Sequence, residues 1–376
     1  MTAAPENSTP KHTALHDEHA ALGASFTDFG GWDMPLKYGS ELAEHRAVRE
    51  TAGLFDLSHM GEVRVAGPDA ATYLNSALVG NLAAIAVGRA KYSLICAADG
   101  GIIDDLITYR LAEDVFLVVP NAGNAQTVAE ALIERAAGFD VEVTDQSADT
   151  SLVAVQGPNA VAILHALVPE EQRALVSDLK YYAAEQAVIA EIPVLLARTG
   201  YTGEDGFELY VPNAEAPALW RALLAAGVDH GLVPAGLASR DSLRLEAGMP
   251  LYGNELSREV TPFDAGLGPV VSFKKTEDFV GREALEARRD APGERVLVGL
   301  RGDGRRAGRG GYAVLSGTET VGRITSGQPS PTLGYPIALA YVTPEHATAG
   351  TRLDVDLRGK AEPFTVVDLP FYHRGA

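Results

Sequence analysis

The chain of 376 residues contains a single cysteine, Cys96. One thiol excludes an internal disulfide and any cysteine-rich zinc or iron–sulfur site, and it fits a reducing compartment. No apolar run approaches the roughly 18–20 residues that a membrane-spanning helix needs. The first twenty residues lack a basic region followed by an apolar stretch, so they predict no secretory signal. These absences predict a cytoplasmic protein that has no membrane partner.

Basic residues are few. Lys and Arg number 31 against 50 Asp and Glu, which gives a formal net charge of −19. This balance disfavours a nucleic-acid partner, because affinity for phosphate backbones comes mostly from Lys and Arg. An anionic ligand would need a few local basic groups that act against the overall field. The sequence also lacks a phosphate loop and a GxGxxG motif that opens a helix, so we expect no bound nucleotide.

The order of predicted elements indicates an α+β protein. Strand-like runs such as KYSLICA and VFLVVPN mix irregularly with helical runs such as AGNAQTVAEALIERAA. This mixture favours α+β layers over a regular βαβ array. The charged stretch RRDAPGERV, which contains Pro292 and Gly293, is the best linker candidate. The short strands beyond it, separated by glycine-containing turns, predict a small β-barrel or sandwich.

Two neighbouring carboxylates follow a Gly-Gly pair in GGIIDDL. Successive side chains of a strand face opposite sides, so Asp104 and Asp105 cannot both face one pocket. We expect one to point inward, where a buried carboxylate needs a partner or a role in proton transfer. The alternative is a turn that carries a solvated acidic pair.

A hairpin is predicted in RTGYTGEDGFELYV, because Asp205-Gly206 lies between two strand-like runs. In the second strand, the apolar side chains of residues 207, 209 and 211 share one face, and Glu208 and Tyr210 share the other. If that second face lines a cavity, Glu208 is suited to accepting two parallel hydrogen bonds. The alternative is an exposed glutamate on a solvated strand face.

A helix is predicted at the start of ASRDSLRLEAGMPLYGNE, with Arg240 and Arg244 at i, i+4 on one face. A guanidinium fork suits a carboxylate or carbonyl ligand. The alternative is a surface helix whose arginines pair with Asp241 or Glu246.

Three histidines, His12, His16 and His19, have the spacing of metal ligands on a helix. No nearby carboxylate or cysteine completes a site, so we predict no metal. The sequence also contains no nucleophile elbow, and Cys96 has no obvious base near it in sequence, which disfavours a hydrolase.

Taken together, six segments are similar, in order, to the successive signatures of the aminomethyltransferases of the glycine cleavage system: HTALHDEHAALGASFTDFGGWDMPLKY, LFDLSHMGEVRVAG, GGIIDDLI, GYTGEDGFELYV, ASRDSLRLEAGMPLYGNEL and ITSGQPSPTLGYPIALAYV. The chain thus resembles this folate-binding T-protein family from about residue 11 to its C-terminus. The resemblance implies a three-lobed α+β protein, with two mixed antiparallel subdomains in a folate-binding region at 11–288 and a small β-barrel at 295–373.

The resemblance also implies roles for individual residues. The second aspartate of the DDL motif is the critical acid of the family, which is Asp105 here. The GFE carboxylate and the first arginine of the RDSLR segment contact folate, which implies these roles for Glu208 and Arg240. A tyrosine near the C-terminus contacts ligand in the family, and Tyr372 is the candidate. Four further residues look like cavity lining: Met60, Tyr92, Asn121 and Tyr201.

The implied reaction moves an aminomethyl group from the lipoyl arm of the H carrier protein to tetrahydrofolate, with release of ammonia and without a metal. Two related activities are alternatives. One is a folate-dependent demethylase. The other is a folate-binding accessory protein for iron–sulfur or tRNA maturation, whose branch resembles KGCYxGQE at the hairpin. This chain reads TGYTGEDG there and has no cysteine in it, which disfavours that branch.

Overall fold

The computed structural model describes residues 9–289, 291 and 293–375, so Pro292 of the predicted linker lies outside the described residues. These residues form two compact units. Unit 1 comprises residues 9–77, 82–92 and 106–240, and unit 2 comprises the described residues of 78–81, 93–105 and 241–375. No helix within the described ranges has the length and apolar character needed to cross a membrane.

The α-helices of the described chain are short. They are α1 His16–Ala21, α2 Glu41–Glu50, α3 Ala70–Ala77, α4 Ala125–Arg135, α5 Ala160–His165, α6 Arg173–Asp178, α7 Ala216–Gly227, α8 Leu237–Glu246 and α9 Arg282–Arg289. The strands are β1 Ser25–Phe29, β2 Trp32–Lys37, β3 Ala52–Asp56, β4 Val63–Ala66, β5 Ala90–Cys96, β6 Ile102–Ala112, β7 Val115–Pro120, β8 Glu142–Asp145, β9 Thr150–Gln156, β10 Ala184–Ile189, β11 Ile192–Ala197, β12 Gly206–Pro212, β13 Leu232–Pro234, β14 Val296–Gly302, β15 Ala313–Ser316, β16 Glu319–Pro329, β17 Pro336–Val342, β18 Arg352–Asp356 and β19 Ala361–Val367.

A six-stranded sheet of unit 1 has the order β10-β11-β12-β9-β3-β13. Its pairs are antiparallel except for β13, which runs parallel to β3. Phe207, Leu209 and Val211 of β12 join the hydrophobic core together with Trp220 of α7. The predicted alternation along β12 is therefore confirmed, and Glu208 and Tyr210 lie on the opposite face of the strand.

The connection into β12 differs from the predicted tight Asp-Gly turn. β11 and β12 do pair antiparallel, but residues 198–205 form a loop between them, and Gly206 already belongs to the strand. A Cβ atom at Gly206 would overlap the side-chain amide of Gln156. Glycine is therefore required here by a close approach and not by a turn with positive φ.

A five-stranded sheet has the order β5-β6-β7-β4-β8. The six strands of the C-terminal region close into a barrel in the order β14-β17-β16-β15-β18-β19, and all of its pairs are antiparallel. Leu300, Ile324 and Phe364 are among the residues that fill its interior. The predicted α+β class and the small C-terminal barrel are confirmed.

Candidate functional site

The carboxylate of Glu208 is buried on β12 and is held by its neighbours. Thr199 donates a hydrogen bond to Oε2, and the hydroxyl of Tyr109 lies 3.4 Å from the same oxygen. Because the Thr199 proton is on Oε2, the Tyr109 hydroxyl is the donor in its 2.9 Å hydrogen bond with the Thr199 hydroxyl. Within the described residues, no protein group bonds Oε1 of Glu208, so this oxygen can accept hydrogen bonds from a ligand. The alternative of an exposed glutamate is wrong.

Electrostatics set the charge states around this carboxylate. Burial raises the pKa of Glu208, while the hydrogen bond from Thr199 and the charge of Arg240 act in the opposite direction. Burial, followed by the charge of Glu208, raises the pKa of Tyr109 well above its ordinary value. Tyr109 is therefore a neutral phenol that donates its proton, and Glu208 is the acceptor of the cluster.

The loop that carries Thr199 and Tyr201 is fixed by Gln156 of β9. The side-chain amide of Gln156 donates to the carbonyl of Thr199 at 3.0 Å and accepts from the hydroxyl of Thr202 at 2.9 Å. Gln156 is buried, so both bonds are shielded from water. The loop therefore holds Thr199 against Glu208.

Arg240 of α8 is half-buried, and its Cζ lies 4.8 Å from the centroid of the Tyr201 ring. Burial lowers its pKa, and the charges of Glu208 and Tyr201 raise it. Among the described residues, no acceptor forms a side-chain hydrogen bond with its guanidinium. An arginine is always charged in proteins, so this group is a desolvated cation with free donors.

Arg244, one turn later in the helix, has a different environment. It is buried and forms ion pairs with Asp241 at 2.8 Å and Glu255 at 2.9 Å. It also donates to the hydroxyl of Ser326 at 2.7 Å. The predicted alternative of pairing within the helix therefore applies to Arg244, which is a structural residue of unit 2.

The predicted lining residues of unit 1 are all half-buried. The structure brings the turns of Met60 and Asn121 together, because the Gly61 N–H donates to the carbonyl of Pro120 at 3.1 Å. A Cβ atom at Gly61 would lie 2.8 Å from the Pro120 ring, so only glycine permits this approach. Tyr92 lies on β5, and Tyr201 lies under Arg240.

Asp105 and Tyr372 belong to unit 2. Asp104 is fully buried on β6 and Asp105 is half-buried, as the alternation of a strand requires. A solvated acidic turn is therefore excluded. Burial and the charge of Asp104 raise the pKa of Tyr252 to about 12. The Tyr252 hydroxyl donates a hydrogen bond to the carbonyl of Ile102 at 3.2 Å. The Tyr372 N–H donates to the carbonyl of Glu246 at 2.8 Å.

Sequence reasoning missed Tyr109 and Thr199, although Tyr109 follows Asp105 by four residues along one strand, a spacing that repeats the same face. It also missed His59 and Glu62, which flank Met60 and are both buried. Among the described residues, Nδ1 of His59 and both carboxyl oxygens of Glu62 have no hydrogen-bond partner. Burial lowers the pKa of His59 to about 4 and raises that of Glu62 to about 9. Both groups are therefore neutral near pH 7.

Two family models together match most of the chain. One is described as the GCVT N-terminal domain and matches residues 15–275, and the other is described as the glycine cleavage T-protein C-terminal barrel domain and matches residues 295–373. The chain belongs to this family. It is therefore a transferase of the aminomethyltransferase type, as the sequence predicted.

Similar proteins match this chain over nearly their full lengths. An aminomethyltransferase from Streptomyces avermitilis is 59% identical over 374 residues, which cover 98% of this chain and 99% of that protein. An aminomethyltransferase from Moorella thermoacetica is 46% identical, covering 97% of this chain and 98% of the relative. The crystal structure of glycine cleavage system aminomethyltransferase T from Bartonella henselae is 38% identical, with a TM-score of 0.89 and coverage of 97% and 98%.

Proposed function

We propose that the chain transfers the one-carbon unit of an aminomethyl group, carried on the lipoyl sulfur of the H carrier protein, to tetrahydrofolate. The products are 5,10-methylenetetrahydrofolate, ammonia and the dihydrolipoyl carrier. The observation that carries this proposal is a buried carboxylate, Glu208, that interacts electrostatically with a desolvated arginine, Arg240, while each keeps hydrogen-bonding atoms that no group of the described residues uses. A reduced pterin offers N–H donors, and its tail offers carbonyl and carboxylate acceptors.

Glu208 would bind the amino and ring N–H groups of the pterin, which a carboxylate can accept as two parallel bonds. Thr199 already donates to Oε2, so Oε1 is the more accessible oxygen. Each carboxylate oxygen has two acceptor sites, which leaves room at Oε2 as well. The neutral Tyr109 strengthens this arrangement because it donates to the Thr199 hydroxyl, which leaves the Thr199 proton for Oε2.

Arg240 would bind a carbonyl or carboxylate of the folate tail. The net charge of −19 repels an anion at long range, so a local cation is required. Met60, Tyr92, Asn121 and Tyr201 would line the pocket in unit 1, and Tyr372 would contribute a ligand contact from the C-terminal segment. We also propose the division into a folate-binding region at 11–288 and a barrel domain at 295–373.

Asp105 would take part in the transfer reaction itself. As the C–S bond of the aminomethyl-lipoyl group breaks, positive charge develops on the methylene carbon, and a carboxylate can stabilise it. The same carboxylate can orient and activate the attacking folate nitrogen by accepting its proton. Fixing the pterin against the incoming carbon supplies several kcal/mol by positioning.

The test is an assay of ammonia release from aminomethylated H carrier protein, with and without tetrahydrofolate. We expect release to depend on tetrahydrofolate and to match formation of methylenetetrahydrofolate. Demethylation of an N-methylated amine without ammonia release would instead favour the demethylase alternative. Folate binding without turnover of either substrate would favour the accessory protein.

A further inference from the structure

Two of the N-terminal histidines meet a carboxylate that lies far from them in sequence. Nε2 of His16 lies 3.1 Å from Oδ2 of Asp33, and Nε2 of His12 lies 3.9 Å from the same oxygen. The two imidazole rings stack with centroids 3.8 Å apart. The sequence showed no carboxylate near these histidines, and β2 brings Asp33 to them in the fold. The third histidine, His19, is fully buried and bonds Asp56 at 2.9 Å.

Backbone hydrogen bonds hold these three side chains together. The Lys11 N–H donates to the carbonyl of Gly31 at 2.9 Å, and the Asp33 N–H donates to the carbonyl of Lys11 at 2.8 Å. These bonds place the segment before α1 alongside β2. His16 is the first residue of α1 and stacks on Phe26 of β1. The backbone thus brings the three side chains together from two segments of unit 1.

We propose that His12, His16 and Asp33 form a binding site for a divalent transition-metal ion of the zinc class. One ligand atom from each residue lies within 4.8 Å of the other two. Around a tetrahedral zinc ion with bonds of about 2.0–2.1 Å, ligand atoms lie about 3.3 Å apart. The observed distances of 3.1 and 3.9 Å bracket this value. Two imidazoles and one carboxylate select zinc, nickel or copper over calcium and magnesium.

Binding requires two local changes. The lone pairs of parallel rings do not converge, so the His12 ring must rotate away from the stack, and its side chain is 52% exposed and has room to do so. The ligating nitrogens must also be unprotonated, so the metal competes with protons. An ion bound here would tie the segment before α1 to the β1–β2 hairpin.

The experiment is calorimetric titration of ZnCl₂ into untagged, chelator-treated protein at pH 7.5. We expect one Zn²⁺ per chain. Outer partners of metal ligands alone are worth about 10–100-fold in affinity. Loss of a ligand in H12A or D33N should therefore weaken binding by at least about tenfold.

Matched variants make the result decisive. H230A removes a histidine outside the cluster and should bind Zn²⁺ like the wild type. His12 is exposed, so H12A should keep its fold and its thermal unfolding temperature in the absence of metal. Absence of Zn²⁺ binding in the wild type, or binding that H12A and D33N leave unchanged, would overturn the proposal. The readout is metal affinity, so a negative result for the metal site can be distinguished from a loss of folate-dependent transfer.

Discussion

The guanidinium of Arg240 lies over the ring of Tyr201, with its Cζ 4.8 Å from the ring centroid. A cation–π interaction holds the cation against this ring, and among the described residues no acceptor forms a hydrogen bond with its N–H donors. The electrostatic attraction of Glu208 partly offsets the cost of burying this charge. Within the described part of the chain no carboxylate forms an ion pair with this guanidinium, so the site holds a positive charge in position before any ligand arrives.

Replacing Arg240 with lysine tests this arrangement. R240K keeps the charge but loses the planar fork and the stacking on Tyr201, so we expect the Kd for tetrahydrofolate to rise about tenfold or more, which is about 1.4 kcal/mol. Isothermal titration calorimetry measures it. R173K, at an exposed position of α6, is the control and should bind like the wild type. Equal affinities for R240K and R173K would exclude Arg240 from folate binding.

Replacing Thr199 with valine tests the role of Oε2 of Glu208. A hydrogen bond to the charged form lowers a carboxyl pKa, so T199V should raise the pKa of Glu208 beyond the increase that burial already causes. Protonated Glu208 accepts fewer hydrogen bonds. Folate affinity in T199V should therefore fall more steeply than in the wild type as pH decreases from 8 to 5.

The matched variant is T199S, which keeps the hydroxyl and should restore the wild-type pH profile. Parallel pH profiles for T199V, T199S and the wild type would show that the Thr199–Glu208 bond does not control ligand binding.

The face of β12 could be predicted from the sequence, because a strand alternates with a period of two and Phe207, Leu209 and Val211 are apolar. Spacing alone could not distinguish the environment of Arg240 from that of Arg244, since both lie on one helical face. The difference comes from Glu255 and Ser326, which are 11 and 82 residues from Arg244. Asp33 was missed for the same reason. The fold creates contacts between segments that are distant in sequence, and local sequence patterns do not predict such contacts.

Glu62 makes stability depend on pH. Its pKa is about 9 in the folded protein, against an ordinary value of 4.5, so the folded state retains a proton that the unfolded chain releases. The stability associated with this group is present below about pH 4.5 and is lost as pH rises towards 9. E62Q cannot ionise, so its free energy of unfolding relative to wild type should increase by about 2.7 kcal/mol between pH 6 and pH 8, which is about 1.36 kcal/mol per pH unit.

Urea denaturation at the two pH values measures this change. E134Q, at an exposed position of α4, is the control and should show no such increase. A constant difference between E62Q and the wild type at both pH values would mean that Glu62 is already ionised near neutral pH.

The Arg244–Glu255 ion pair should stabilise unit 2. Its side chains are 1% and 0% exposed, so E255A leaves a buried cation without its main partner. We expect a loss of about 3–5 kcal/mol in the free energy of unfolding, measured in urea. The exposed Arg221–Glu18 pair is the comparison, and R221A should cost less than about 1 kcal/mol. Similar losses for the two variants would contradict a stabilising role for the buried pair.

Glu208 and Arg240 are proposed to bind tetrahydrofolate and Asp105 to act on the reacting atoms, so D105N should lose turnover and keep binding. Single-turnover ammonia release from aminomethylated carrier should fall by at least about 100-fold, the usual contribution of a general acid–base group. The Kd for tetrahydrofolate should stay within about threefold of the wild-type value, less than 1 kcal/mol. D114N, an exposed change beyond the end of the same strand, should behave like wild type in both respects. Wild-type turnover by D105N would exclude Asp105 from the transfer reaction.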